Sequence, residues 1–515
     1  MELGPQAELT DIQRFYKNTT VFLTGATGFI GKLLLEKILR SLEVNKVFIL
    51  VRGKKDLSAS KRAQDIWESP VFDIIKRTKN EVLNKVVVLE GDCALPNLGL
   101  STEDRQTIIK EVNVVFHCAA TVRFDEPLSK ATMINVRATK DLVELAKKMP
   151  KLKTFVYVGT AFSNSNRSEI KEKVYPSTIS AEKLIATCEN LDEECVRDIT
   201  KTLVGTWPNT YTFTKQVVED YLNREAKSIP ICICRPTVVV STADEPVSAF
   251  VDNVFTLAGF VLLNAMGICR ISYYKNTNLD IVPADYVVNQ CIAVGWQTGE
   301  TFNKQKNEIP VYHMSSGLDN PISQDEVYGL CDYHARQCPT PQLFAFPLYF
   351  RTTCKYNYLL LRFFFHTMVA FFIDLLLIIQ GKPAIYKERV KKLHNFQEAY
   401  EFFTVTDFFI HTENANKLLK KMSFRDRELF NCDIATVNWE SYFVKYPRGL
   451  RFYILKESME TLPAGKRHID YLRRVLTIIL VITTVVIYCL GKIFLFRVVP
   501  LVGGVVLSFL RNSVC

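Results

Sequence analysis

Three glycines at a spacing of three, Gly25, Gly28 and Gly31, stand between an apolar run ending at Thr24 and a helical run beginning at Lys32. The segment reads Thr24-Gly25-Ala26-Thr27-Gly28-Phe29-Ile30-Gly31. A tight turn without side chains lets backbone N–H groups and the positive end of a helix approach a pyrophosphate. A strand before it, a helix over Lys32 to Leu39 and a second strand after that give the glycines the context of a first βα turn in a dinucleotide fold. Thr24, Gly25, Thr27, Gly28, Phe29, Ile30 and Gly31 are the candidate contacts.

From Phe15 to Ile309, β-branched runs alternate with helical stretches, which predicts an α/β fold with a Rossmann-type, doubly wound parallel sheet. The predicted strands are Thr20 to Thr24, Lys46 to Val51, Val86 to Glu90, Val112 to Cys118, Thr154 to Gly159, Ile231 to Cys234 and Asn278 to Val282. Their apolar residues run on without alternation, as strands covered on both faces require.

The second strand ends at Val51, 20 residues past Gly31, where an NAD site offers a carboxylate to the ribose hydroxyls. Here Arg52-Gly53-Lys54-Lys55 follows instead. Arg52 can pair with a 2′-phosphate, so the expected cofactor is NADPH. Lys54 and Lys55 read as solvated loop charges. Asp92, after the third strand, is placed either to meet the adenine edge or to cap a turn.

Tyr211 and Lys215 are four residues apart, on one face of a helix. A neighbouring ammonium stabilises phenolate and draws a tyrosine toward the working pH of a general acid/base. Lys215 can also hold the nicotinamide ribose. Thr160 closes the fifth predicted strand, at the end of the sheet where open α/β folds bind ligands, and is the candidate oxyanion donor. Asn135 is placed to support the site or to cap a helix.

The 14 cysteines show no Cys-x-x-Cys and no zinc-type spacing, so they read as reduced thiols. At 48% hydrophobic the chain carries an apolar surplus, and two stretches hold it. Tyr358 to Ile379 is interrupted by Arg362, His366 and Asp374, each of which costs roughly 2.5 to 3.5 kcal/mol near a bilayer centre. It therefore reads as an amphipathic helix against membrane or protein rather than a simple span. Val475 to Phe496 gives 22 residues, about 33 Å of helix, and matches a bilayer core. Lys466, Arg467, Arg473 and Arg474 precede it, which places the bulk of the chain in the cytosol. Val498 to Leu510 reads as interfacial or as the return arm of a hairpin. The start of the chain shows no secretory signal pattern. The net charge of +10 fits nucleic acid, an anionic membrane surface or a phosphorylated ligand, and charge alone does not choose among them; with the motifs above, no nucleic-acid partner is expected, and a homodimer stays open.

Thr160, Tyr211 and Lys215 together resemble the triad of extended short-chain dehydrogenases/reductases. The chain resembles fatty acyl-CoA reductases more closely. The resemblance is carried by Thr24 to Gly31, Val115 to Phe124, Trp207 to Lys215, Cys234-Arg235-Pro236-Thr237 and Asp280 to Val288. It continues in Phe430 to Asp433, Trp439 with Tyr442, and Arg448 to Tyr453. It implies reduction of a long-chain acyl-CoA by NADPH to a primary alcohol through a retained aldehyde. It also implies a reductase domain over 1–340 with a substrate subdomain from about 235, a mainly helical C-terminal domain over 341–465, and a membrane-anchoring tail over 466–515. Endoplasmic reticulum and peroxisome both fit that tail. Two departures bear on the pocket: Gly159 stands where the family usually has serine, and Val247 to Asn253 replaces its Pro-Gly-Trp-Val-Asp-Asn segment. A membrane-bound reductase of sterols, and a non-catalytic NADP-binding scaffold, are the alternative readings.

Overall fold

Five consecutive buried residues, Thr20–Thr24, form the strand at the centre of the molecule (β1). The computed structural model describes residues 8–53, 58–303 and 308–493. Around β1 lie β2 (Lys46–Val51), β3 (Val86–Glu90), β4 (Val114–His117), β5 (Thr154–Val158) and β6 (Ile231–Pro236), with β7 (Val238–Val240) and β8 (Ile281–Pro283) as a separate pair. β9 (Val311–Met314) completes the main sheet.

All seven strands of that sheet are parallel, in the order β3-β2-β1-β4-β5-β6-β9. The order reverses between β1 and β4, and such a switch point opens a crevice beyond the carboxyl ends of the strands. Two apolar layers cover the sheet. Leu34, Ile38, Ile292 and Val294 belong to one, and Leu142, Phe213, Val217 and Tyr221 to the other. The doubly wound arrangement follows from that two-sided burial.

The expected β1, β2 and β3 match the structure residue for residue. The last expected strand does not. Residues 281–283 pair with β7 outside the main sheet, while β9 takes the edge place beside β6. β-branched residues predict that a strand forms and do not name its partner.

The helices that matter for the site are α1 (Phe29–Ser41), α2 (Ala59–Trp67), α3 (Thr210–Glu225), α4 (Ala284–Thr301), α5 (Lys355–Ile379), α6 (Tyr386–Val405) and α7 (Leu462–Ile493). Beyond residue 341 the chain is mainly helical and packs back on the part of the chain that carries the sheet. The Tyr442 hydroxyl lies 2.7 Å from Ser241 Oγ, and Trp439 Nε1 donates to Asn320 O at 3.0 Å. One apolar core accordingly runs from Leu34 through Val287 to Phe443 and Leu450.

α7 is a continuous helix whose segment from Ile478 to Val486 exposes its aliphatic side chains. The rest of the expected span, 494–496, and the stretch Val498 to Leu510 lie outside the described residues, as do Lys54 and Lys55.

Candidate active site

The glycine loop is closed by backbone contacts that leave no room for a Cβ. At Gly31 a Cβ would stand 2.1 Å from Gly25 O, and Gly25 itself has φ +79. Gly28 caps α1 without any side-chain acceptor, and the first turn of α1 holds no acid. The N–H groups of that turn are thus left for an anion. Gly25, Thr27, Gly28, Phe29, Ile30 and Gly31 line a cavity of about 550 Å3. Thr24 does not. Its hydroxyl is 2.6 Å from His117 Nδ1, and the other ring nitrogen meets Thr139 at 2.9 Å. Burial holds His117 down at about 3, so the ring is neutral and braces the loop from behind.

Arg52 and Asp92 lie at the rim rather than in the cavity wall. Their side chains stand 3.8 Å apart, and Asp92 Oδ1 accepts from Ala94 N at 2.9 Å, the turn-capping arrangement. A second guanidinium joins them. Arg62 on α2 donates to Arg52 O at 2.7 Å and reaches Thr27 Oγ1 at 3.5 Å. Sequence reasoning missed Arg62, because a basic residue in the next helix carries no local motif.

Asn209 opens α3 by accepting from Thr212 N at 2.9 Å, which fixes the first turn and with it Tyr211. Thr160, Tyr211 and Lys215 all line the same cavity as the glycine loop. Burial raises the Tyr211 phenol, and the nearby Thr160 hydroxyl lowers it by less, so Tyr211 stays protonated. The expected draw of Lys215 on that phenol is not realised in the free protein. Lys215 Nζ instead donates to Val158 O at 2.8 Å and sits 4.7 Å above the Tyr157 ring. Tyr211 is therefore set as a proton donor, the role a carbonyl reduction needs.

Burial brings Lys215 down to about 8, against the opposing pull of Glu219. A lowered ammonium is fully charged below that value and loses its charge above it. Above about pH 8, kcat/KM for the cofactor is expected to fall roughly tenfold per unit. Steady-state rates from pH 6.5 to 9.5 check this, with Lys215→Arg expected to abolish the break because a guanidinium keeps its proton.

Asn135 is not a helix cap. It sits in a wide helical turn, Thr132–Arg137, where its Oδ1 accepts from Thr121 N at 2.9 Å and its Nδ2 donates to Thr214 Oγ1 at 3.0 Å. It ties the loop after β4 to α3. Gly159 has a steric reason, since a Cβ there would lie 2.9 Å from Glu219 Oε1. Within Val247 to Asn253, Phe250 turns inward against Phe29 and Tyr453, while Asp252 and Asn253 face the cavity.

Beyond Tyr211 the cavity is aromatic. Phe124 stacks on Tyr211 at 6.0 Å between ring centres, and Tyr400 and Phe403 of α6 close on Phe124 at 4.9 and 5.4 Å. Phe162 and Phe260 extend the wall. The cavity thus runs from the glycine loop at one end to an aromatic wall at the other, with the hydroxyls of Thr160 and Tyr211 and the ammonium of Lys215 between. None of the α6 residues carries a sequence signal for this position.

A family model described as male sterility protein matches residues 23–291, and a second with the same description matches residues 365–457. Over 472 residues the chain is 35% identical to fatty acyl-CoA reductase 1 of Rattus norvegicus, covering 91% of this chain and 90% of that one. It is 33% identical over 494 residues to fatty acyl-CoA reductase wat of Drosophila melanogaster, with 94% of each covered. Among solved structures it is similar to the reductase domain of a nonribosomal peptide synthetase from Mycobacterium tuberculosis, with a TM-score of 0.56 at 20% identity, covering 86% of this chain and 96% of that one. That likeness is one of fold.

Proposed function

The chain belongs to the fatty acyl-CoA reductase family, and on that premise we propose that it reduces long-chain acyl-CoA to the primary alcohol with NADPH. The observation that supports this most is the cavity itself, which joins the glycine loop to an aromatic chamber with Thr160 and Tyr211 at the junction.

Gly25, Thr27 and the first turn of α1 would hold the pyrophosphate, and Lys215 the nicotinamide ribose. When bound, the reduced cofactor supplies the hydride. Thr160 and Tyr211 donate to the thioester carbonyl oxygen as it gains charge, a contribution worth about 10² to 10³ in rate per donor at comparable sites. Collapse of that alkoxide breaks the C–S bond and releases coenzyme A as a thiolate, which takes its proton from solvent. A second reduction acts on the aldehyde, and Tyr211 passes its proton to the resulting alkoxide. The aromatic wall of Phe124, Tyr400 and Phe403 keeps water from the aldehyde between the two steps.

The preference for NADPH rests on Arg52 and Arg62. Arg52→Ala is expected to lower the NADPH over NADH ratio of kcat/KM by about 10-fold or more, as the loss of one charge-assisted pair predicts. Arg62→Ala added to it is expected to lower the ratio again. Steady-state kinetics with both cofactors give the answer, and an unchanged ratio removes the assignment.

The tail anchors this reductase to the endoplasmic reticulum or peroxisomal membrane with its catalytic part facing the cytosol; the exposed aliphatic face of α7 and the basic residues before it support that reading. The test of the activity is incubation of the full chain with NADPH and palmitoyl-CoA, followed by lipid extraction. Alcohol is the expected product. Absence of both alcohol and aldehyde with every acyl-CoA tried overturns the proposal.

A further inference from the structure

α5 and α6 form an antiparallel hairpin joined by residues 380–385. α5 has the length and mean hydropathy, 1.9, of a membrane span, yet only 17% of its most apolar stretch is buried. Its polar groups explain which side is covered. Arg362 pairs with Glu398 of α6 at 2.8 Å, and His366 Nε2 accepts from Arg270 N at 3.0 Å. Asp374 accepts from the N–H groups of Ile385, Tyr386 and Lys387, at 2.9, 2.9 and 2.8 Å, and so caps the start of α6. The three ionisable residues that argued against a span are all turned to the protein.

The opposite face is left open. Leu360, Phe364, Phe371, Phe372, Leu376 and Ile379 are each more than half exposed. An uncovered apolar stripe of this size on an otherwise well-packed protein marks an interaction surface. Its rim is basic: residues 382–392 hold Lys382, Lys387, Arg389, Lys391 and Lys392 against one acid, Glu388. Tyr356 at the start of α5 is 84% exposed, an aromatic with a polar tip at the edge of the stripe. A plain hydrocarbon face with cations at one end and an exposed tyrosine at the other matches the layers of an anionic bilayer, from acyl chain to headgroup phosphate.

α6 links this surface to the chemistry. Its first turns carry the cations and its last turns carry Tyr400 and Phe403, which close on Phe124 one ring away from Tyr211. At about 1.5 Å per residue, about 24 Å of helix separates Lys387 from Phe403. The other residues at the cavity mouth, Val122 and Phe255, are exposed and apolar as well.

From this continuity we infer that the outer face of the α5–α6 hairpin lies in the plane of an anionic phospholipid bilayer and that the acyl chain passes between lipid and cavity along α6. The hairpin does not cross the bilayer, because a crossing would carry Arg362, Asp374 and the cations of α6 through it. The inference rests on the reading of the cavity as an acyl site and adds the route by which that site is filled.

The test uses the full chain in vesicles of phosphatidylcholine and phosphatidylserine. Phe364→Trp and Leu376→Trp are made separately, and quenching by lipids brominated at shallow or deep acyl positions is compared with wild type. Equal, shallow quenching at both positions is the expected result. No added quenching, as a protein partner on this face would give, overturns the inference, and so does one shallow and one deep position, the pattern of a span. In parallel, Phe371→Glu/Leu376→Glu is assayed with palmitoyl-CoA loaded into vesicles and with octanoyl-CoA in solution. Apparent KM for the vesicle substrate is expected to rise roughly 10-fold while kcat/KM for the soluble one stays within about twofold. An equal loss on both overturns the route. A wild-type protein inactive on every acyl-CoA sinks the functional reading alone, since quenching still reports where the hairpin lies.

Discussion

Tyr211→Phe is expected to lower kcat for alcohol formation about 10³-fold, within the 10² to 10⁴ that a positioned proton donor contributes. The substitution keeps the ring, so its stacking on Phe124 at 6.0 Å and the shape of the chamber persist. Cofactor affinity and the KM for the acyl substrate should then stay within about twofold, the signature of a group that acts only in the transition state. The two reductive steps should also separate. The alkoxide formed from the thioester can expel a thiolate while Thr160 still donates to its oxygen, whereas the aldehyde step needs the phenolic proton that burial keeps on Tyr211. Aldehyde should therefore rise as a share of the product. Rates from cofactor oxidation, with aldehyde and alcohol measured in the lipid extract, decide the matter. A loss below tenfold with an unchanged product ratio would remove Tyr211 from the mechanism.

The parts of this site that could be read from the chain are those whose partners are close in sequence. The glycine loop, the Tyr211 and Lys215 pair and the first three strands depend on local spacing, and each stands where that spacing put it. β9 escaped because His313 interrupts its apolar run. Its ring is buried through a hydrogen bond from Arg235, 78 residues away in the chain, which no local pattern reveals. Arg62, Tyr400 and Phe403 were illegible for the same reason. They meet the site through tertiary packing, and on their own helices they read as solvated or core positions. Glu219 lies one turn beyond Lys215 yet looks like ordinary helix surface until its partner on β6 is known. On α5 the shared, protein-facing side of Arg362, His366 and Asp374 was legible because three polar residues on one face are a periodic, local signal.

Arg235→Met is expected to destabilise the folded chain by about 3 to 5 kcal/mol, the usual cost of stranding one charge of a buried pair. Arg235 and Glu219 are both wholly buried, joined by Nε to Oε1 at 3.0 Å and Nη2 to Oε2 at 2.7 Å. The guanidinium also donates to Lys173 O at 3.0 Å and to His313, whose other nitrogen donates to the carbonyl of His411. The helix α3, two strands of the sheet and the C-terminal region are thus tied at one point. Without Arg235, the hydrogen bond left to Glu219 among the described residues is that from the hydroxyl of Ser163. Denaturation of the full chain measures the loss. Arg235→Met/Glu219→Leu should recover a large part of it, because apolar replacement of both members removes the stranded charge. A double variant no more stable than the single one would assign the penalty to packing instead. The same double variant carries a second readout. Glu219 is the charge that holds Lys215 up against burial, so its loss should move the break in the pH profile below about 8. A stable double variant whose break stays in place would show that the pair ties the fold together without tuning the lysine.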